Sequence, residues 1–428
     1  MTYEETIEYL YTQHPMFSVT GPGAYKPGLD TARILDDAFG NPHRKFLTVH
    51  VGGTNGKGST SHMLAAILAA AGHKVGLYTS PHLADFRERI RVDGRMMHRE
   101  AVVDFVERYR GMNLPCAPSF FELTTIMAFD YFATSGVDIA VIEVGLGGRL
   151  DTTNIITPIL SVITNITLDH TNLLGSTTTQ IATEKAGIIK KGIPVVIGHA
   201  DADTRPVFEA KAAEMGAPII FAQDTPVRHT RADGHFKYGL TPGEEPWIVS
   251  DLTGEYQPEN VNTVMAAVRT GALPGVSAQH VAEALPNVCG RTGLMGRWMH
   301  LGSAPDIICD TGHNIGAWEY LAPRLTEIAG KSHLHIVLGF VNDKDLSHIL
   351  PLLPRTSVTY YFVTPSVDRG RDSAQLKILA AQAGIEGDAY PSVAAGFKAA
   401  RAHASSSHTI FVGGSTFVVA DLLSFLHE

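Results

Sequence analysis

A glycine-rich segment between a strand-like run and a helix-like run is the part of the sequence best suited to chemistry. It reads GGTNGKGST over residues 52–60, and we refer to it as the phosphate loop. Glycines let backbone N–H groups close on phosphate oxygens, the helix N-terminus adds partial positive charge, and Lys57 reaches the terminal phosphates. The strict pattern GxxxxGK[ST] is not met, because Val51 replaces its first glycine and Gly58 separates Lys57 from Ser59. The segment predicts an ATP-binding loop, and the alternative is a tight turn without a ligand.

Polar side chains follow the other strand-like segments of the first half. The apolar segments in question are 46–51, 74–79, 138–144 and 158–166, and the first leads into the phosphate loop. In an open parallel sheet, ligands bind beyond the carboxyl ends of the strands, so Ser80, Glu143 and His170 are expected near that loop. Mg²⁺ prefers oxygen ligands, which makes Ser80, Glu143 and the loop hydroxyls candidate ligands and His170 a softer one. The alternative is a polar rim in which neighbouring N–H groups satisfy Glu143.

Three further features allow both a chemical and a structural interpretation. The run Ser119-Phe120-Phe121-Glu122 fits a helix capping box, which explains Glu122 without any chemistry. Lys185 lies on a predicted helix among apolar residues, where it is either a snorkelling lysine or a buried one with a lowered pKa that can be modified. Basic residues after Ser80 either suit an anionic substrate or form the charged face of an ordinary strand; they are Arg87, Arg89, Arg91 and Arg95.

In the second half, Arg297 and the run DTGHN at 310–314 are the candidates for chemistry. Asp310 ends the apolar strand-like segment PDIICD, which places it at a carboxyl edge of a second sheet. Either Asp310 caps the following helix, or it faces the nucleotide across a cleft between domains.

The elements around these residues predict an α/β architecture. Continuous apolar strands, including IPVVIG at 193–198, indicate a parallel sheet that helices cover on both faces. The helix-period segments lie near 59–71, 99–110, 119–134, 177–190, 258–270 and 277–285. The polar stretch from Thr225 to Trp247 is expected to supply antiparallel edge strands. A second α/β series, with strands PDIICD, LHIVLGF, SVTYYFVTP and HTIFVGG, begins near 296, after the glycine-rich joint at 287–298.

Composition limits the classes of function. The chain has 428 residues, and its net charge of −9 provides no global positive field for nucleic acid or an anionic membrane. The hydrophobic share of 44% excludes a disordered chain. Three cysteines without a CxxC pair favour a reducing compartment, and the acidic start with no long apolar run predicts a cytoplasmic protein without a membrane span.

An ordered set of motifs resembles folylpolyglutamate synthase and dihydrofolate synthase, a branch of the Mur ligase superfamily. The motifs are GTNGKGS, TSPHL, FFELTT, EVGLGGRLDTTN, TNITLDHTNLLG, IATEKAGIIKKG and CDTGHN, in the order and spacing of that family from about residue 20 to the C-terminus. The resemblance implies an N-terminal P-loop ATPase domain, 1–295, and a smaller C-terminal Rossmann-like domain, 296–428, with the active site in the cleft between them.

The resemblance also implies a role for each matching residue. ATP binding falls to Gly53, Thr54, Asn55, Gly56, Lys57, Gly58, Ser59, Thr60, Asn260, Arg297 and Asp310. One or two magnesium ions would be held by Ser80, Glu143, His170 and a carbamylated Lys185. The acceptor would lie near Lys26, Pro27, Gly28, Leu29, Ser80, Pro81, His82, Phe121, Glu122, Asp151 and Thr152. The catalytic residues would be Lys57, His170, Lys185 and His313.

The implied activity is the ATP-dependent joining of L-glutamate to a pteroate or folate carboxylate through an acyl phosphate, by a monomer. Two alternatives are a Mur-type ligase with another substrate and a nucleotide-binding switch. The chain departs from the family where DGAHNP is replaced by the residues from Asp310 to Ile315 and where PGR is replaced by Met295-Gly296-Arg297. The path of the altered loop and the contacts of its replaced residues are left open by the resemblance.

Overall fold

The computed structural model describes residues 1–14, 28–240 and 247–427. The chain divides into two compact units. One consists of Met1–Leu252 with Gln257–Leu294, and the other consists of Thr253–Tyr256 with Met295–Glu428. Each unit has its own central sheet. Among the described residues, no helix is long and apolar enough to cross a membrane.

The first unit is built on an eight-stranded sheet in the order β4-β3-β2-β5-β1-β6-β7-β8. The strands are β1 Leu47–Gly52, β2 Val75–Tyr78, β3 Ile90–Val92, β4 Arg95–Met96, β5 Ile139–Glu143, β6 Leu160–Ile163, β7 Val195–Ile197 and β8 Ile219–Phe221. Six of them are parallel, from β2 to β8 in that order, and β3 and β4 extend one edge in antiparallel fashion. The parallel sheet predicted from the continuous apolar segments is confirmed.

Helices cover this sheet. They are α1 Tyr3–Gln13, α2 Asp30–Ala38, α3 Lys57–Ala70, α4 Arg99–Gly111, α5 Phe120–Thr134, α6 Thr171–Leu174, α7 Thr178–Ala186, α8 Arg205–Met215, α9 Gln257–Arg269, α10 Ala278–Ala284 and α11 Val288–Thr292. Short 3-10 helices lie at Pro42–Arg44, Phe86–Arg89, Thr152–Ile155, Ala222–Asp224 and Leu285–Asn287. Helix α3 is buried from Gly58 to Leu68, so the helix that follows the phosphate loop lies inside the unit. The helix predicted over 177–190 ends at Ala186. Gly187 follows it and lies against Arg149, where a Cβ would be only 2.4 Å from Arg149 Cα.

The polar stretch after Thr225 forms antiparallel strands as predicted, but the prediction that they lie at the edge of the parallel sheet is wrong. Its described residues form a separate antiparallel sheet of β9 Arg228–Ala232, β10 His235–Gly239 and β11 Ile248–Val249. Phe236 and Tyr238 on β10 are buried in the same core cluster as Val261 and Val264 of α9. The stretch is therefore held by burial of this apolar face against α9, and not by pairing with β8. The antiparallel edge comes instead from β3 and β4, within and after the arginine-rich segment.

The second unit contains a six-stranded sheet in the order β12-β13-β17-β14-β15-β16. Its strands are β12 Met299–Ser303, β13 Asp306–Asp310, β14 Leu334–Leu338, β15 Val358–Val363, β16 Gly387–Tyr390 and β17 Thr409–Gly413. Its helices are α12 Ile315–Ala329, α13 Ser373–Gln382, α14 Val393–His403 and α15 Thr416–His427, with a 3-10 turn at Leu350–Leu352. Only β12 is antiparallel. Trp318, Phe340, Phe362 and Phe411 form the centre of a core cluster in this unit.

Candidate active site

The phosphate loop is packed so closely that two of its glycines admit no side chain. Gly53 has φ +129°, and a Cβ there would lie 1.9 Å from Thr164 Oγ1 and 2.9 Å from the Thr164 backbone nitrogen. Gly56 has φ +82°, and its Cβ would lie 2.1 Å from Asn260 Oδ1. Both the positive φ angles and the contacts therefore require glycine. The predicted ATP contact Asn260 is thus brought against the loop within the first unit.

The segment after β6 holds the loop through hydrogen bonds. Thr54 N–H donates to the Asn165 carbonyl at 2.8 Å, and Asn55 N–H donates to Asn165 Oδ1 at 2.9 Å. Thr164 Oγ1 donates to the Asn55 carbonyl at 2.5 Å, and Asn55 Nδ2 donates to Thr167 Oγ1 at 3.2 Å. The first backbone hydrogen bond of α3 runs from Thr60 N–H to the Gly56 carbonyl at 2.9 Å, so the amides of residues 57–59 lie at the N-terminus of the helix. Sequence reasoning missed Thr164, Asn165 and Thr167, although they directly follow a strand next to β1.

Two lysines meet at one carbonyl of the loop. Lys57 Nζ donates to the carbonyls of Gly53 at 3.1 Å and Thr54 at 2.9 Å. Lys185 Nζ on α7 donates to the same Gly53 carbonyl at 2.7 Å. Lys185 is only 5% exposed, and its burial, helped by the charge of Lys57, lowers its pKa to about 7. Of the two interpretations of Lys185, the structure supports the buried lysine and not the snorkelling one.

Three of the four predicted metal ligands lie at or after the carboxyl ends of parallel strands. Glu143 is the last residue of β5 and is buried, and Ser80 follows β2, the neighbour of β5. His170 follows β6 with φ +50°, and its backbone N–H donates to Asp169 Oδ1 at 2.8 Å.

The donor chemistry of this edge suits a divalent cation. A carboxylate, a hydroxyl and an imidazole would leave the remaining positions to water and phosphate oxygens. Over the described part of the chain, no group of three or more His, Cys, Asp or Glu side chains is arranged to hold a metal without such help. A metal at Ser80, Glu143 and His170 would therefore depend on a bound nucleotide for further ligands.

The segment after Glu143 is folded around the carboxylate of Asp151. Asp151 accepts hydrogen bonds from Leu146 N–H at 2.8 Å, from Thr153 N–H at 3.0 Å and from the Thr153 hydroxyl. Burial raises the pKa of Asp151, and these hydrogen bonds oppose the shift. Phe121 packs on Gly145, where a Cβ would lie 2.4 Å from Phe121 Cζ. Asp151 and its buried neighbour Thr152 are thus brought into one loop that contacts the aromatic residue Phe121 at Gly145.

Glu122 has a structural explanation. Its Oε2 accepts from Ser119 N–H at 2.7 Å and from Ser119 Oγ at 2.8 Å, while its own N–H donates to Ser119 Oγ at 3.2 Å. This is the capping box that the sequence indicated. Of the predicted residues at 26–29, Lys26 and Pro27 lie outside the described residues, whereas Leu29 precedes α2 and Gly28 has φ +132°.

The arginines after Ser80 do not act as one patch. Arg87 pairs with Asp85 at 2.7 Å, and Arg91 donates to the carbonyls of Gly94 and Gly293. Exposed Arg95 lies on β4 at the edge of the sheet.

Arg89 is the most deeply buried member of the set. It lies over the Phe120 ring, and its Nε donates to His82 Nδ1 at 2.7 Å. Burial and the charge of Arg89 lower the pKa of His82 to about 3, so His82 is neutral. His82 Nε2 lies 3.3 Å from the Tyr11 hydroxyl, whereas Pro81, after a cis peptide bond, is exposed.

In the second unit, Asp310 accepts three hydrogen bonds at the end of β13. The donors are the Tyr256 hydroxyl at 2.5 Å, Trp298 N–H at 2.8 Å and Gly312 N–H at 2.7 Å. Burial raises the pKa of Asp310 despite these bonds. Asn314, not Asp310, caps α12, since its Oδ1 accepts from Ala317 N–H at 3.0 Å. The capping alternative for Asp310 is therefore wrong.

The other predicted residues of the second unit meet at Thr311. The Arg297 guanidinium donates to Thr311 Oγ1, and Thr311 in turn donates from its hydroxyl and its N–H to the Gly296 carbonyl at 3.1 Å each. His313 Nδ1 lies 3.1 Å from the Thr311 carbonyl oxygen. Thr311, which stands where the family commonly has glycine, thus contacts both Arg297 and His313. Sequence reasoning recorded this replacement without assigning it a role.

Comparison with known proteins gives matches along most of the chain. Residues 51–268 match the Mur ligase middle domain, and residues 296–416 match the "Mur ligase, glutamate ligase domain". A folylpolyglutamate synthase from Lacticaseibacillus casei is 34% identical over 396 residues, which cover 89% of each chain. A probable bifunctional folylpolyglutamate synthase/dihydropteroate synthase from Haloferax volcanii is 33% identical, and the chain spans 50% of its length.

Solved structures of similar proteins include ligand complexes. Escherichia coli FolC in complex with DHPP and ADP has a TM-score of 0.86 and 29% identity, covering 100% of this chain and 98% of that one. A bifunctional folylpolyglutamate synthase/dihydrofolate synthase from Yersinia pestis, complexed with AMPPNP and a Mn ion, has a TM-score of 0.82 and 28% identity, with coverage of 100% and 98%.

Proposed function

Since this chain belongs to the Mur ligase family, in the branch of folylpolyglutamate and dihydrofolate synthases, we propose that it is an ATP-dependent ligase. The proposed reaction of folate biosynthesis joins the α-amine of L-glutamate to the carboxylate of a pteroate or a folate. The observation that carries the proposal is the convergence of Lys57 and Lys185 on the Gly53 carbonyl, at the N-terminus of a buried helix. Such a site suits a polyphosphate, because helix amides and ammonium groups attract phosphate oxygens.

The phosphate loop would bind ATP through its backbone and Lys57. The N–H groups of residues 57–59 would contact phosphate oxygens at the N-terminus of α3, and Lys57 would exchange the carbonyls of Gly53 and Thr54 for the terminal phosphates. Asn260, beside Gly56, would contribute from α9, and Arg297 and Asp310 would contribute from the second unit. In the transition state Lys57 would offset negative charge on the transferred phosphoryl group.

A divalent cation is part of the proposal, with Ser80, Glu143 and His170 as its ligands. The oxygen-rich donor set and the Mn ion in the similar structure from Yersinia pestis support it, and Mg²⁺ is the ion that we propose. When bound, it would neutralise charge on the phosphate oxygens. Lys185, with a pKa of about 7, would supply a neutral amine that adds CO₂ and releases a proton. The resulting carbamate would help to hold a second ion.

The acceptor carboxylate would attack the γ-phosphorus of ATP, which forms an acyl phosphate and releases ADP. The amine of glutamate would then attack the acyl carbon, and phosphate would leave from the tetrahedral intermediate. The loop around Asp151 and Phe121 would hold the pterin end of the acceptor, with His82, Gly28 and Leu29 nearby. His313, His170 and Lys185 would act beside the reacting carboxylate. We further propose that the enzyme works as a cytoplasmic monomer on these small molecules, without nucleic acid.

A coupled assay of ADP and phosphate release tests the proposal. Release should require both L-glutamate and either dihydropteroate or a reduced folate, and the two acceptors should be compared side by side. Lys57→Ala should abolish ligation while the circular dichroism spectrum stays that of the parent, whereas exposed Lys74→Ala should leave the rate unchanged. Near-normal ligation by Lys57→Ala would refute the assignment. Phosphate release independent of any acceptor would favour a nucleotide switch instead.

A further inference from the structure

The central strand of the first unit carries a buried histidine that the proposed chemistry does not use. His50 lies on β1 between Val49 and Val51, with Ile142 of β5 and Ser161 of β6 beside it in the sheet. Its side chain is fully buried. A neutral imidazole in such surroundings is less favourable than an aliphatic side chain unless its polar atoms are hydrogen-bonded. The hydrogen-bond partner of His50 therefore indicates its role.

The partner of His50 is Thr153, next to the proposed acceptor loop. His50 Nε2 lies 2.8 Å from Thr153 Oγ1, and the Thr153 hydroxyl donates to Asp151 Oδ1. A threonine hydroxyl has a single hydrogen. Since that hydrogen goes to the carboxylate, Thr153 Oγ1 can only accept from His50, which must carry its proton on Nε2.

The other ring nitrogen agrees with this protonation state. His50 Nδ1 is buried and has no hydrogen-bond partner among the described residues. An acceptor lone pair can stay unpaired there at a lower cost than a buried N–H group. Burial, together with the charge of Lys190, lowers the pKa of His50 to about 3, so the ring stays neutral. The direction of donation is thus fixed from His50 to Thr153 to Asp151.

The end of this chain of hydrogen bonds is the turn that follows Glu143. Asp151 Oδ2 accepts from Leu146 N–H at 2.8 Å, and Leu146 follows Gly145, the glycine against which Phe121 packs. On the far side, Asn154 Nδ2 donates to the carbonyls of Arg149 at 3.0 Å and Gly187 at 3.1 Å, which anchors the segment to α7. The Thr153 hydroxyl therefore helps the backbone N–H groups to orient the Asp151 carboxylate, and the hydrogen of that hydroxyl points to Asp151 because His50 donates to its oxygen.

We propose that His50 and Thr153 are positioning residues that orient Asp151 and the Gly145-Leu146 turn for the pterin end of the acceptor. The inference rests on the proposed function, because it needs Asp151 at the acceptor site. Neither residue would touch the substrate. Both would act through the carboxylate, so their loss should weaken acceptor binding and leave ATP binding intact.

The test uses variants that remove the hydroxyl or the N–H group at similar side-chain size, and matched variants that keep the group. Thr153→Val removes the hydroxyl at nearly constant shape, and Thr153→Ser keeps it. His50→Leu removes the donor, and His50→Gln keeps an N–H near the Nε2 position. Thr48→Val is the matched control, since Thr48 is a buried threonine on the same strand, two residues before His50 and on the same face. Thermal melts identify any variant that fails to fold.

The readouts are the KM for dihydropteroate, the KM for ATP and the direct binding of dihydropteroate by calorimetry, which does not need turnover. Thr153→Val and His50→Leu should weaken acceptor binding at least about tenfold, about 1.4 kcal/mol, with the KM for ATP within about twofold. Thr153→Ser, His50→Gln and Thr48→Val should bind like the parent. Acceptor binding by Thr153→Val and His50→Leu that equals that of Thr48→Val overturns the inference.

Asp151→Asn distinguishes this failure from a failure of the proposed function. If Asp151→Asn weakens acceptor binding and the Thr153 and His50 variants do not, the positioning role is wrong and the acceptor site stands. If Asp151→Asn also binds dihydropteroate like the parent, both the inference and the proposed acceptor site are overturned.

Discussion

Replacing the buried Lys185 by methionine should stabilise the fold while it removes activity. The difference between the ordinary pKa of 10.5 and the value of about 7 corresponds to about 5 kcal/mol of unfavourable burial at about 1.4 kcal/mol per pH unit. Methionine fills a similar volume without a charge, although it loses the hydrogen bond to the Gly53 carbonyl, which costs about 1–3 kcal/mol. The expected net gain at neutral pH is therefore about 2–4 kcal/mol in the free energy of unfolding.

The gain should depend on pH with a definite sign. The unfolded lysine keeps its proton up to pH 10.5 and the folded one loses it near 7, so between these values the unfolded state binds more protons. The stability contributed by Lys185 therefore rises with pH across this window, because the penalty of burying the charge disappears. The advantage of Lys185→Met should accordingly be full below pH 7 and should shrink toward pH 10.

Urea unfolding in CO₂-free buffer at pH 6.5, 8 and 9.5 measures this difference, with exposed Lys191→Met as the control. Added bicarbonate at pH 8 should raise the melting temperature of the parent but not that of Lys185→Met, because only the parent can form the carbamate. A Lys185→Met variant that is less stable than the parent at pH 6.5, or a difference that does not change with pH, would refute the burial argument. Retained ligase activity would refute the proposed catalytic role.

Three further perturbations follow from single contacts. Gly53→Ala should destabilise the protein and abolish ATP-dependent turnover, because its Cβ would clash with Thr164. The control Gly72→Ala, at φ +89° but with open space around it, should lower the free energy of unfolding by about 1 kcal/mol and keep activity. Thermal melts and turnover assays of both variants measure the difference. Thr311→Val should raise the KM for ATP about three- to tenfold by releasing Arg297, whereas Thr311→Ser should keep the KM of the parent. Equal KM values for Thr311→Val and the parent would show that the contact between Thr311 and Arg297 does not support ATP binding. His335 should contribute up to about 3 kcal/mol to the fall in stability as the pH drops from 6.5 to 4, since burial lowers its pKa to about 4. His335→Leu should remove that part of the pH dependence of unfolding, while the part due to buried His50 and His82 remains.

The parts of the fold that the sequence predicts are those whose burial leaves a periodic pattern. Strands β1, β2, β5 and β6 are largely apolar and buried on both faces, so the parallel sheet and the position of the phosphate loop could be predicted. Strands β12 and β16 were missed because none of their residues is fully buried, so they carry no such pattern. The polar stretch after Thr225 was expected at the wrong place, since alternation predicts a strand but not its neighbour.

Site residues could be predicted where the residue type and spacing have one plausible function. They could not be predicted where the role of a residue depends on its surroundings in the folded chain. The glycines and Lys57 were found from their spacing. Glu122 allowed two interpretations until its bonds to Ser119 supported the cap. The burial of Lys185 depends on how α7 lies against the loop, which no local pattern encodes. Thr153 and His50 matter through a hydrogen-bond chain that links residues 103 positions apart.

The paired lysines explain how a chain of net charge −9 can hold a polyanion. In the described protein, Lys57 and Lys185 share the Gly53 carbonyl, and the charge of each disfavours that of the other. A phosphate group beside α3 would favour both positive charges at once, because it attracts each of them. Binding of the phosphate therefore offsets a repulsion between the two lysines that exists without it. The acidic surface is largely irrelevant to this balance, because exposed charges more than about 10 Å away are screened by salt.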